Sequence, residues 1–271
     1  MKSKLFFTIF LLFLNEFACG QIILSNVRDL AMGNASIASV SSYGPSKNIS
    51  FIPVENNSFL SFGIANNYLI KDLSPAFITF LKSFGANTSL QLSAVRMGNN
   101  FFSEQFAEAG LAKRINSKIT AGISIKYHQW ILKESIYENS NAVIPSFGIL
   151  IFPLKNISFG VLVRNPVRVR MNAIEENKLP AQINPGFSIK VSEKVSLACS
   201  AIQQNDLPLS TQLGLEYMFH PKLFFRTGWH TVPHTLTFGF GLKLKRFCLD
   251  TSLQSHSVLG NSTAVALTFP L

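Results

Sequence analysis

The chain has 271 residues, of which only 14% are charged while 47% are hydrophobic and Phe alone contributes 25. A soluble domain carries nearer a quarter charged residues, so a large face of this molecule avoids water. The formal net charge of +10 raises nucleic acid as a partner, and the export signal that opens the chain excludes it.

That signal begins with Met1-Lys2-Ser3-Lys4, followed by an apolar stretch from Leu5 to Leu14 broken only by Thr8. A basic start and an apolar run too short to span a bilayer define a secretory leader. Ala18 and Gly20 supply the small residues before a cleavage site, which places residues 1–20 in the leader and Gln21 at the mature terminus. Cys19 also fits lipidation, although Glu16 stands where such a signal wants an aliphatic side chain.

Residues 21–56 contain Leu24, Val27, Leu30, Met32 and Ile37, too apolar for a disordered tail and too few to bury a core alone. The segment needs a concave partner surface and is expected to fold as a plug. From residue 57 onward, apolar residues alternate with period two along most of the chain, and no later apolar run reaches the ~20 residues of a membrane helix. Fourteen such segments begin near 57, 76, 88, 103, 117, 143, 155, 181, 194, 208, 222, 234, 247 and 262.

In Thr235 to Lys245, for example, Leu236, Phe238, Phe240, Leu242 and Leu244 share one face, and Thr, Gly and Lys share the other. The same split marks 119–131 (with Gln129 as an exception), 157–163, 187–191, 213–219 and 265–271. Most segments have the length of tilted membrane strands rather than the five or six residues of globular ones. Short connections, such as Asn116-Ser117, Pro153-Leu154 and His220-Pro221, alternate with mostly longer ones, the longest at 165–180. These features predict an all-β fold: a transmembrane antiparallel up-and-down barrel of about fourteen strands over 57–271, with the plug inside it.

Charge follows the same phase. In the six clearest strands no lipid-facing position is charged, whereas Lys126, Arg164, Lys190, Glu216 and Lys243 face inward. His128, Arg226, Asp250 and His256 join them as lumen-facing polar candidates. One reading is an anion-attracting lumen; the other pairs these cations with Glu216, Asp250 or the plug's Asp29. Inward apolar residues are few, chiefly Trp130, Leu162 and Met218. Cys199 and Cys248 fall on opposite sides of the wall and are expected to be free thiols.

Two constellations invite a chemical reading. Asp250, Ser252 and His256 lie on one strand, but a rise of ~3.4 Å per residue separates Ser252 from His256 by about 13 Å, too far for a nucleophile and its base. His230, His234 and His256 gather at one rim, where His234 has the opposite phase. No catalytic, metal or cofactor set is expected, and a barrel hydrolase or a purely structural barrel remain the alternative readings.

Arg28-Asp29-Leu30-Ala31-Met32-Gly33-Asn34-Ala35-Ser36 resembles the opening of Bacteroidetes outer-membrane barrels related to the long-chain fatty-acid transporter (FadL-like). That group includes the PorV and PorQ barrels of type IX secretion. Asn165-Pro166, Phe238-Gly239-Phe240-Gly241-Leu242-Lys243-Leu244, and His256 with Leu259-Gly260 extend the resemblance. Where relatives often carry Asn-Pro-Ala, this chain has Lys47-Asn48-Ile49-Ser50, and it ends on Pro270-Leu271 with Phe269 in the place of a terminal aromatic. The resemblance implies fourteen strands and an inward plug bearing Arg28, Asp29, Gly33 and Asn34. It also implies an outer-membrane location, and either passage of hydrophobic compounds or docking of secreted proteins. The expected partners are outer-membrane lipid and lipopolysaccharide, with hydrophobic small molecules or secretion-system proteins as cargo.

Overall fold

The alternation resolves into fourteen strands in a computed structural model that describes residues 26–41, 44–53, 57–133, 139–171, 178–205 and 207–271. The expected leader, residues 1–20, lies outside the described residues. In chain order the strands are β1 (Phe59–Asn66), β2 (Ala76–Phe84), β3 (Thr88–Gly98), β4 (Phe102–Asn116), β5 (Ile119–Leu132), β6 (Ser140–Leu154) and β7 (Ile157–Arg164). They continue as β8 (Gln182–Lys190), β9 (Val195–Gln204), β10 (Ser210–His220), β11 (Leu223–His230), β12 (Thr235–Lys243), β13 (Cys248–His256) and β14 (Gly260–Pro270). Each strand pairs antiparallel with its sequence neighbours, and β1 pairs β14 to close the barrel. Closure removes both sheet edges, so every wall amide can be satisfied without water. The last amide, of Leu271, donates to the Ser58 carbonyl at 2.9 Å.

The starts agree with the sequence reading to within a few residues, but three short turns lie further along the chain than expected. β4 continues through Asn116, β6 through Leu154 and β10 through His220, leaving turns at 117–118, 155–156 and 221–222. Each of these strands carries a register shift before its turn, between Arg114 and Asn116, between Ile151 and Leu154, and between Met218 and His220. Pro153 sits within one such irregularity, where its missing N–H breaks no ladder bond, so a proline that reads as a turn is accommodated in a strand. The opposite end carries the longest connections, at 67–75, 133–139 and 165–181, although 99–101 and 257–259 are as short as the turns. Both ends of the barrel, Phe59 and Pro270, are paired at the short-turn end.

The outer face is apolar as the phase requires: Phe240 is 63%, Ile125 60% and Phe219 70% exposed. Gln129, the polar exception, accepts a 2.8 Å bond from Gln105 Nε2 on the adjacent strand, so the two amides satisfy each other. Three exposed cations, Lys82, Arg96 and Lys113, also take the outward phase, each within a few residues of a strand end. Long cationic side chains at such positions reach the headgroup level. Among the described residues no helix is long and apolar enough to cross a membrane.

The N-terminal segment fills the interior. Asn26 caps a short helix, α1 (Val27–Ala31), by accepting from the Arg28 amide at 3.1 Å. Gly33 and Asn34 then take left-handed backbone, with φ of 62° and 58°, and turn the chain away from the helix. From there it sweeps around the lumen: Met32 and Ala35 against Ala198 of β9, Ile37 and Ile49 against Leu162 of β7, and Phe51 against Phe59, Leu81 and Leu150. Wall hydroxyls cap its carbonyls. Thr237 donates to Ala31 at 2.9 Å, Ser158 to Ala38 at 2.8 Å and Ser89 to Phe51 at 2.8 Å.

Candidate functional site

The site is the lumen where this segment meets the wall, and glycine makes the meeting possible. On the inward face three cross-strand pairs are both glycine: Gly122 with Gly148, Gly160 with Gly186, and Gly214 with Gly228. A Cβ on Gly122 or on Gly160 would stand 2.6 Å from the carbonyl oxygen of Ile49 or Ile37, respectively, and one on Gly214 2.5 Å from that of Met32. Such distances are well inside van der Waals contact, so these positions admit no side chain while the segment is seated. Glycine on inward faces is visible in single strands of the sequence, but the cross-strand pairing is not. The signal that could have found the belt is glycine recurring in the same phase on successive strands.

Asn48 joins the segment to itself and to the wall. Fully buried, it donates from Nδ2 to the Ile37 carbonyl at 3.0 Å and to the Ile149 carbonyl at 3.3 Å. Its Oδ1 accepts from the Ser50 amide and hydroxyl at 3.1 and 2.7 Å. The Lys47-Asn48-Ile49-Ser50 stretch, which departs from the expected Asn-Pro-Ala, is thus a structural junction.

Above α1 runs a chain of alternating charge. Arg28 meets Glu216 of β10 through Nε–Oε2 and Nη2–Oε1, both 2.9 Å. Arg226 of β11 reaches Glu216 at 2.7 Å and Asp250 of β13 at 2.6 Å, and Asp29 lies 3.7 Å from Arg28. All but Glu216 are at most 3% exposed. Burial pushes the Asp29 carboxyl above its ordinary value, against the pull of Arg28 and Lys47. Of the predicted pairings, those with Glu216 and Asp250 are present. Asp29, in contrast, sits beside Arg28 and Lys47 of its own segment instead of a wall lysine.

Lys126, His128 and Arg164 form a second set whose acidic partners were missed. Glu104 and Glu108, on the inward face of β4, stand beside them: Glu104 Oε1 lies 2.7 Å from His128 Nε2, Glu108 faces Lys126 across the strand pair, and Glu108 Oε1 accepts from Ser124 at 2.6 Å. Lys126 also lies over the Phe106 ring at 4.6 Å. Around this set Arg164 Nε and Nη1, Gln182 Oε1, Ser146 Oγ and both amide atoms of Asn184 have no hydrogen-bond partner among the described residues. A cavity of about 40 Å³ reaches Arg164 and Gln182, roomy enough for water. This side of the lumen is therefore polar, with room for water.

The remaining candidates lie apart. Lys190 and Lys243 are exposed at the short-turn mouth. His256 accepts the Val258 and Leu259 amides at Nδ1, both 3.1 Å, and so caps a turn edge-on to Tyr68. His234 stacks on outward Trp229 at 6.4 Å, while His230 is buried with no partner for Nε2 among the described residues. With Asp250 bound to Arg226 and His256 to its turn, Ser252 Oγ has no hydrogen-bond partner among the described residues. Among the described residues no group of three or more His, Cys, Asp or Glu side chains converges as a metal set. Cys199 and Cys248 are free, and Phe269 stacks on Phe62 at 5.6 Å across the β1–β14 seam.

No protein-family model matches the sequence, and no curated relative does. Solved structures do match. The toluene transporter TodX of Pseudomonas putida superposes with a TM-score of 0.66 at 11% identity, covering 92% of this chain and 98% of TodX. A FadL homologue of Pseudomonas aeruginosa gives 0.55 at 12% identity, covering 92% and 97%. The molecule is therefore a closed fourteen-stranded membrane β-barrel, and its fold is that of the FadL-like barrels.

Proposed function

We propose that the protein is an outer-membrane channel for small hydrophobic compounds, exported by the leader 1–20 and gated by the N-terminal segment acting as a plug. The observation that carries this reading is the seating of residues 26–41 and 44–53 around the glycine belt, where the segment's carbonyls occupy the space over the inward glycines. The likeness to a toluene transporter supports the class of cargo. A non-enzymatic role agrees with Asp250 and His256 being occupied in ion pairing and turn capping. Uptake of toluene into proteoliposomes tests it. The intact protein should conduct slowly and a form lacking 26–53 faster; equal rates in protein-loaded and empty vesicles would remove the channel reading. Recovery of the mature protein in a soluble periplasmic fraction would remove the location as well.

Docking of secreted proteins, the role implied by the PorV and PorQ resemblance, draws on the β7–β8 connection. Asn165 anchors its base by donating to the Leu179 carbonyl at 2.7 Å and accepting the Val169 amide at 2.9 Å, and the backbones of Arg170 and Lys178 pair in an antiparallel β-bridge. A built base under a long, charged loop suits surface recognition. Trimming the loop should then abolish surface attachment of secreted cargo while toluene flux persists.

A further inference from the structure

A second cavity, of about 290 Å³, opens at the short-turn mouth between the N-terminal segment and strands β4 to β9. Its walls carry Arg114, Lys155 and Lys190, and among the described residues no carboxylate lines it. None of the three cations makes an ion pair among the described residues, in contrast to the paired arginines deeper in the lumen. Its floor is apolar, formed by Val40 and Ile52 of the segment with Phe152 of β6. One further group points to an occupant: Thr120, which lines the cavity at 4% exposure, has an Oγ1 with no hydrogen-bond partner among the described residues. A buried hydroxyl left without a partner calls for a ligand or ordered water.

Register brings these groups together. Arg114 pairs with Thr120 across β4 and β5, and Ser158 with Ser188 across β7 and β8. Lys190 faces Ser196 across β8 and β9. Cations at the rim, hydroxyls on the walls and an apolar floor select one chemistry: an anionic head on a short apolar body. The volume is at the lower end of small-molecule sites, which run from about 300 Å³ upward. We infer that this mouth cavity is a binding site for a small amphiphilic anion of the phosphate-ester or carboxylate kind, presented from the short-turn side. The site is complete with the segment seated, so it stands whether or not the plug ever opens.

The test uses the full mature chain in zwitterionic nanodiscs, with empty nanodiscs as reference, and titrates octyl phosphate, octanol and inorganic phosphate by calorimetry. Octyl phosphate should bind, with octanol and inorganic phosphate each at least about tenfold weaker, because each lacks one half of the recognition. The Arg114→Gln/Lys190→Gln pair should weaken octyl phosphate by a similar factor while Lys118→Gln, on the adjacent turn but outside the cavity, leaves it unchanged. Wild-type affinity should also fall as salt is raised, which needs no variant to fold. Equal binding of octanol, equal binding of inorganic phosphate, an unaffected double variant or salt-independent affinity would each overturn the assignment.

Discussion

Arg28 and Glu216, separated by 188 positions in the chain, meet in the lumen through two parallel contacts of 2.9 Å. Glu216 also accepts from Arg226, so a single carboxylate holds the N-terminal segment and the wall in one array. Replacing Glu216 with Gln leaves two buried guanidinium groups facing a neutral amide. Removing one member of a buried ion pair costs about 3–5 kcal/mol, and here the cost falls first on the seating of the segment. Glu216→Gln should therefore yield an assembled barrel with raised conductance and a lower melting temperature in detergent. A variant with wild-type conductance and melting would show that this array does not hold the segment.

The glycine belt makes a steric prediction. Gly122→Val places a branched side chain where the Ile49 carbonyl oxygen stands. Overpacking of this kind costs about 1–3 kcal/mol when the neighbours can shift, and the neighbour that the new side chain meets is the segment. Protease should then cleave residues 26–53 faster in Gly122→Val than in Ala121→Val, whose change faces lipid. Equal cleavage of the two would mean that the wall absorbs the strain.

Strand number, phase and N-terminal burial were legible because a bilayer imposes a strict rule on half of the residues. Phe238 and Phe240 declare the outside, and Thr237 and Lys243 follow by parity. The partners inside the lumen were not legible. Glu104 and Glu108 lie on a strand whose outer face includes Gln105, Ala107 and Ala109 as well as Leu111, a weak alternation that hid its phase and with it the carboxylates beside His128 and Lys126. Asn48 escaped for another reason: its role depends on the Ile149 carbonyl, a backbone group that no side-chain pattern announces. Pro153 misplaced a turn because a register irregularity is invisible in the sequence.

Lipid exposure yields a depth-dependent prediction. Phe240, 63% exposed, is within β12, and Phe219, 70% exposed, is next to the last residue of β10 at the short-turn end. A lipid-facing arginine costs roughly 2–4 kcal/mol near the midplane and about 0–1 near the interface. Phe240→Arg should reduce the folded, heat-modifiable fraction on gels markedly, and Phe219→Arg only slightly. If Phe240→Arg folds as well as wild type, the assignment of the wall's two faces is wrong.

The last prediction concerns Lys47, which is 4% exposed within the seated segment. Loss of hydration on burial pushes its ammonium down from 10.5 to about 7, the nearby Arg164 adds to the shift, and Asp29 opposes it. Between those two pH values the unfolded chain holds a proton that the folded chain lacks, so the contribution of Lys47 to stability rises with pH across that window. Below pH 7 both states are protonated and the destabilisation is full and constant; above 10.5 neither is, and it is gone. Lys47→Met keeps the length of the side chain without the charge. Its melting temperature should exceed that of wild type most below pH 7, with the difference shrinking steadily as pH climbs toward 10.5. A difference that stays constant across that range would show that Lys47 keeps its proton in the folded barrel, held there by water or by Asp29.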